Sequence, residues 1–122
     1  MAQREGELPF SFPVGSPKVP DLETQKRQAL EASWIELTNR LLPSAAPDRR
    51  WPIHLNHCFQ RVLLDHACSG VWYDLIKGRP AYRHASDEVL ERAVEAGEAC
   101  LDGTLSIPQL NQQSLQWRGK AR

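Results

Sequence analysis

The sequence lacks the signatures of the common enzyme families. It contains no phosphate-binding loop ending in Gly-Lys-Ser or Gly-Lys-Thr, no Gly-x-Gly-x-x-Gly run, no His-Glu-x-x-His and no nucleophile elbow. It also has no strand-like alternation of useful length, which excludes the sheet of an acyltransferase or a Rossmann enzyme. We therefore favour a protein that is not an enzyme, and we expect no bound cofactor.

Long apolar runs and a cysteine framework are missing as well. No apolar run approaches the roughly 18 residues that would cross a membrane, and the first seven residues hold no apolar signal core. The 3 cysteines are an odd number without the spacing of a disulfide framework. These absences predict a cytoplasmic protein that has no membrane span.

Net charge is also absent, but the charges are unevenly distributed. The chain has 15 Lys and Arg against 15 Asp and Glu, so a strong nonspecific grip on nucleic acid is not expected. Residues 40–61 hold four arginines against one aspartate, and residues 77–85 hold three basic residues and no acid. Residues 86–103 hold six acids against one arginine. A basic face and an acidic face are therefore expected, which either bind partners or dock on each other.

Apolar residues recur at helical spacing along most of the chain after residue 20. The first predicted helix begins at the N-cap Asp21 and ends before Pro43, which leaves residues 43–51 as a loop. The central helix has Pro52 in its first turn and ends at Gly70, which we expect in a left-handed cap. This central helix carries the most apolar stripe, so it should organise the core.

Three further segments complete the helical pattern. A short helix that should be substantially buried follows Gly70, and residues 78–85 form a basic, aromatic loop. Ser86 caps a helix that runs to Gly103, and Gly97 within it predicts close approach by another helix or by an aromatic such as Trp34 or Trp72. Ser106 or Ile107 caps a last helix over residues 108–117.

These patterns predict an all-α fold, a compact array of four to five helices with an irregular Pro-rich N-terminal arm. Residues 1–20 form the extended arm, residues 21–117 a single helical domain, and residues 118–122 a short, frayed basic tail. The predicted core residues are Trp34, Leu37, Leu55, Phe59, Val62, Leu63, Leu90, Val94 and Leu101.

One side of the central helix is rich in potential metal ligands. His54, His57 and Cys58 occur at spacings of three and four, so two of them could share a zinc ion. A structural zinc site needs more ligands, and no second Cys/His pair occurs at ligand spacing. A polar face without metal is therefore the preferred interpretation. His66, on the apolar face, is interpreted as a core histidine near the helix C-terminus, where a positive charge is favoured.

Basic and aromatic residues occur on three segments that could meet: the loop before the central helix, the polar face of that helix, and the loop near residue 80. The candidate binding residues on these segments are Arg49, Arg50, Trp51, His57, Arg61, Asp65, Tyr82, Arg83 and His84. In the plainest structural interpretation, Arg61 only pairs with Asp65 or with the acidic residues 87–102.

Guanidinium and aromatic groups together favour an anionic or planar partner. The sequence therefore predicts a small helical binding or adaptor domain that binds an anionic ligand or an acidic protein segment. A nucleic-acid-binding module that uses the same surface and the basic tail is possible but not favoured. The third alternative is a small enzyme or metal-binding protein that uses the His/Cys face of the central helix.

Overall fold

A computed structural model describes residues 21–120, and every regular element in that range is a helix. The bounds are α1 Leu22–Glu36, α2 Leu42–Arg49, α3 Asn56–Cys68, α4 Ala81–His84, α5 Asp87–Asp102 and α6 Ile107–Trp117. Since α1 and α2 are continuous through a π-turn at Leu37–Leu41, the array has five helices, which confirms the predicted all-α fold. The predicted Pro-rich arm lies outside the described residues. No helix within the described range is long and apolar enough to span a membrane.

The first helix does not end before Pro43, so the prediction of a loop over residues 43–51 was wrong. At the π-turn the N–H of Leu42 donates to the carbonyl of Leu37, five residues back. Pro43 then occupies the first turn of α2, where its missing N–H is tolerated. The helix ends only at Arg50, which adopts the left-handed conformation with φ 54°.

Helix α3 lies at the centre of the array, as its apolar stripe predicts. Phe59, Val62 and Leu63 are fully buried, and α3 packs against α5 and α6. The predicted core residues Trp34, Leu37, Leu90 and Val94 are buried as well. Seven of the nine core residues predicted from the apolar periodicity are therefore buried.

Two predicted core residues are not buried. The central helix begins only at Asn56, so the prediction that Pro52 lies in its first turn was wrong. Leu55 is 47% exposed, because it is the extended N-cap of α3, with φ −97° and ψ 148°. Its side chain therefore leaves the helical stripe on which the prediction depended. Leu101 is only half-buried, since it lies in the last turn of α5 at the edge of the core.

The segment after α3 is less helical and more exposed than predicted. The left-handed cap of α3 is Ser69, with φ 55°, rather than Gly70. Only Trp72–Asp74 forms a single 3₁₀ turn, and Tyr73 and Leu75 are exposed. The predicted loop over residues 78–85 contains the one-turn helix α4.

Helix α5 begins and ends as the sequence predicts. The Ser86 hydroxyl accepts a hydrogen bond from the N–H of Val89 at 3.2 Å, and Gly103 adopts a left-handed cap with φ 90°. A Cβ atom at Gly97 would lie 2.3 Å from Cδ2 of Leu37 and 3.1 Å from Cδ1 of Leu63. The expected close approach is present and is made by other helical segments, through Leu37 of the π-turn and Leu63 of α3, rather than by Trp34 or Trp72.

Replacement of Gly97 by alanine should therefore destabilise the protein. We expect the free energy of unfolding in urea to fall by about 1–2 kcal/mol, because overpacking outweighs the gain in helix propensity. In a Leu37→Ala background the added methyl group has room, so the same change should be neutral or stabilising. An equal loss in both backgrounds would contradict the assigned contact.

Candidate functional site

The carboxylate of Asp65 is the most heavily hydrogen-bonded group of the structure's interior. Its side chain is fully buried on α3. It accepts from the N–H of Trp72 at 2.9 Å, from the Ser114 hydroxyl at 2.7 Å, and from Nε and Nη2 of Arg118 at 2.8 and 3.1 Å. A buried carboxylate requires this degree of pairing. The network ties α3 to the 3₁₀ turn and to the end of α6.

Arg118 is therefore not part of a frayed tail. Its side chain is only 16% exposed, and hydrogen bonding to Asp65 raises the pKa of its guanidinium. The role of Arg118 could have been inferred from the helical spacing of Asn111, Ser114 and Arg118. This spacing places three polar residues on one face of α6.

Arg61 contacts α6 instead of the partners considered from the sequence. Its Nη1 donates to the Ser114 hydroxyl and its Nη2 to Oδ1 of Asn111, both at 2.7 Å. The interpretation that Arg61 pairs directly with Asp65 or with residues 87–102 was wrong, because Arg118 already occupies the carboxylate. Arg61 instead reaches the Asp65 carboxylate through the Ser114 hydroxyl, and its guanidinium is held in place.

A cleft of about 270 Å³ opens beside this network, between α3 and the segment that leads to α4. We name it the α3 cleft. Its lining residues are His57, Gln60, Arg61, Leu64, Trp72, Arg79, Pro80 and Ala81. None of these residues is acidic, and half of them are apolar. The cleft therefore combines a positive local charge with an apolar wall.

Four side chains form a continuous stack along the edge of the α3 cleft. The guanidinium carbon of Arg79 lies 5.3 Å from the ring centroid of Trp72, and that of Arg118 lies 5.3 Å from the ring of Tyr73. The two rings meet edge to face at 5.5 Å and 80°. Arg118 is neutralised by Asp65, whereas Arg79 has no carboxylate within 4.0 Å among the described residues. Arg79 is thus the cation of this stack that remains open to a ligand.

The predicted binding residues that precede the central helix lie outside the α3 cleft. Arg49 donates to the carbonyls of Cys100 and Leu101 at 3.1 and 2.7 Å, so it caps the C-terminus of α5. It also lies 5.4 Å from the ring of Trp51, which packs edge-on against Phe59. Neither these residues nor Arg50 line the α3 cleft.

The predicted binding residues near position 80 do not line the α3 cleft. The Tyr82 carbonyl accepts from Arg27 at 2.7 Å, and the Arg83 guanidinium lies 5.9 Å from the Tyr82 ring. His84 packs against Gly78, where a Cβ atom would approach its ring to 2.6 Å. Of the nine residues predicted, the structure brings His57 and Arg61 together in the cleft, with Asp65 buried behind them.

Trp72 and Arg79 were not identified from the sequence as site residues. Trp72 was assigned to a buried helix, but the short 3₁₀ turn leaves it half-exposed. Arg79 is one of the three basic residues between positions 77 and 85. The absence of any acidic residue from that run could have identified Arg79 as a site residue.

A larger groove of about 600 Å³ lies between α1 and α5, and the charges of its acidic and basic residues nearly cancel. It is lined by Glu23, Asp87 and Glu91 together with Lys26 and Arg27. Arg27 is engaged by Glu31, Asp87 and the Tyr82 carbonyl at 2.7 to 2.9 Å. This groove therefore offers a ligand little net charge.

The His/Cys face of α3 does not assemble a metal site in the described range. Between residues 21 and 120, no three His, Cys, Asp or Glu side chains lie close enough to share a metal ion. His54 and His57 are exposed, and Cys58 is half-buried. Elsewhere, burial raises the pKa of the Cys100 thiol to about 11 and also raises that of Cys68, which makes both weak nucleophiles at neutral pH.

His66 is half-buried, as a core-facing histidine should be, but it does not supply the positive charge at the end of α3. Burial, assisted by the nearby Arg92, lowers the pKa of His66. Arg92 itself donates from Nε and Nη2 to the Ala67 carbonyl at 3.1 and 3.0 Å. An arginine of α5 therefore caps α3, and His66 remains neutral beside it.

Comparison of the chain with protein-family models, with curated proteins and with solved structures gives no match. The geometry of the site is therefore the basis for the functional inference.

Removal of the Arg118 guanidinium should leave a buried, undercompensated charge on Asp65. We expect Arg118→Met to lower the free energy of unfolding by about 3–5 kcal/mol. Arg40→Met is the matched control, since it breaks the exposed pair with Glu36 and should cost at most about 1 kcal/mol. Similar losses in the two variants, measured by urea unfolding, would show that the Asp65 network is not a major source of stability.

His66 should make the protein less stable in mild acid. Because its pKa is lower in the folded protein than its ordinary value of about 6.5, the unfolded chain binds the proton first. Stability is therefore unaffected well above pH 6.5, falls as the pH drops below about 6.5, and stops falling below the folded pKa. His66→Gln should remove this part of the pH dependence in parallel urea titrations. Identical slopes for the variant and the wild type would contradict this assignment.

Proposed function

We propose that this protein is a small helical binding domain that recognises an acidic segment of a partner protein through the α3 cleft. The observation that carries the proposal is the Arg79 guanidinium, which is stacked on Trp72 in a cleft without an acidic lining residue. An exposed cation of this kind attracts a carboxylate, and the planar guanidinium can bind it through two parallel hydrogen bonds.

The composition of the cleft favours a protein partner over a small ion. Leu64, Trp72, Pro80 and Ala81 provide an apolar wall beside Arg61 and Arg79. Aromatic residues and arginines are enriched at the centres of protein interfaces, where they contribute much of the binding energy. The volume of about 270 Å³ lies just below the usual range for small-molecule pockets, which suits a side chain of a bound segment.

The alternatives have less support. Affinity for a nucleic acid grows with the number of phosphates that cations neutralise, and this chain has no net charge. The enzyme or metal alternative lacks a ligand set among residues 21–120. We also propose a reducing, cytoplasmic setting, because the three cysteines are free of disulfides and disulfide bonds are rare there.

Arg79→Ala tests the proposed function. A fluorescent peptide of glutamates and apolar residues should bind the wild type, and the variant should bind at least about tenfold more weakly, since one charge-assisted contact is lost. Anisotropy titrations at two salt concentrations measure both the affinity and its electrostatic part.

Arg83→Ala provides the matched control, because Arg83 is equally exposed but does not line the cleft. Its affinity for the peptide should equal that of the wild type. Equal weakening in the two variants would refute the cleft as the binding site. Tighter binding of a single-stranded oligonucleotide than of the peptide would favour the nucleic-acid alternative instead.

A further inference from the structure

The stack along the α3 cleft indicates what kind of acidic segment would bind. Tyr73 is 48% exposed and Leu75 is 64% exposed, and they lie one and three residues after Trp72 in the chain. The edge-to-face contact of Tyr73 with Trp72 continues the apolar wall of the cleft outward. A partner with acidic side chains alone would leave this apolar surface in water and would forgo a gain in binding free energy that grows with the area buried.

The cationic part of the cleft is preorganised. Arg61 is held by Ser114 and Asn111, both at 2.7 Å, and Arg79 is held by its stack on Trp72. Side chains that are already ordered lose little entropy when a ligand binds. The two guanidinium groups therefore present a positive rim beside a fixed aromatic floor.

We propose that the partner segment carries an aromatic side chain flanked by carboxylates. This inference rests on the proposed function and adds to it the aromatic side chain, which we call the aromatic anchor. The aromatic ring packs against Trp72 and Pro80 within the cleft, and the flanking carboxylates contact Arg79 and Arg61. Contact between aromatic rings contributes beyond the area that they bury, so the anchor should raise affinity by about tenfold.

Three labelled peptides of equal length test the anchor by fluorescence anisotropy. The first contains glutamates and serines, the second replaces the central serine by phenylalanine, and the third keeps the phenylalanine but replaces glutamates by glutamines. The second peptide should bind at least about tenfold more tightly than either of the others.

The phenylalanine peptide should bind the wild type more tightly than the serine peptide does. Trp72→Leu should abolish most of this difference in affinity, because the aromatic floor of the cleft is lost. Trp117→Leu is the control, since Trp117 is an exposed tryptophan that does not line the cleft, and it should keep the difference. Should Trp72→Leu fail to fold, nitrogen-15 NMR of the wild type gives the same information. At saturation, the indole signal of Trp72 should then shift more with the phenylalanine peptide than with the serine peptide.

Each outcome separates the inference from the proposed function. Equal affinity for the first two peptides would refute the aromatic anchor and leave acidic recognition intact. Equal affinity for the second and third would refute acidic recognition and, with it, both proposals. If none of the three peptides binds, the aromatic anchor and acidic recognition are both refuted. If Trp72→Leu still binds the phenylalanine peptide more tightly than the serine peptide by the wild-type factor, the assigned position of the aromatic anchor is refuted.

Discussion

The rest of the site depends on the buried carboxylate of Asp65. It holds the N–H of Trp72 and thereby fixes the 3₁₀ turn that leads to Arg79, and it holds Arg118 at the end of α6. Through the Ser114 hydroxyl it also orders Arg61. A charge without access to water tolerates few alternative arrangements of its partners. One side chain of α3 therefore sets the position of both walls of the α3 cleft.

Arginines perform two different tasks in this fold, which explains how a neutral chain can have a basic cleft. Arg49 and Arg92 cap the C-termini of α5 and α3 from neighbouring helices, where the helix dipole favours a cation. Arg27 joins α1 to the side chain of Asp87 in α5 and to the Tyr82 carbonyl in α4. The guanidinium groups of these arginines are thus engaged in contacts within the fold. Arg79, by contrast, is exposed, lies on the ring of Trp72 and lines a cleft without acidic residues, which is why we propose a binding role for it.

Much of the fold could be predicted from the sequence because it depends on local chemistry. The apolar stripe of α3 identified Phe59, Val62 and Leu63 as core residues, and the hydroxyl of Ser86 marked the beginning of α5. Pro43 misled the prediction. Its effect on a helix depends on the preceding turn, and a π-turn accommodates it here, but the residue pattern alone does not distinguish a π-turn from an α-helical one.

The sequence by itself determined the helical periodicity, the N-terminal caps of α1 and α5, and the presence of arginine and aromatic residues near α3, since these follow from residues a few positions apart. The tertiary structure decided which arginines are used internally. The acceptors of Arg61 lie 50 and 53 positions away along the chain, and those of Arg49 lie 51 and 52 positions away. Of these two arginines, only Arg61 lines the cleft. The physical reason is that a buried polar group takes its partner from whatever the packing brings within hydrogen-bond distance, regardless of separation along the chain.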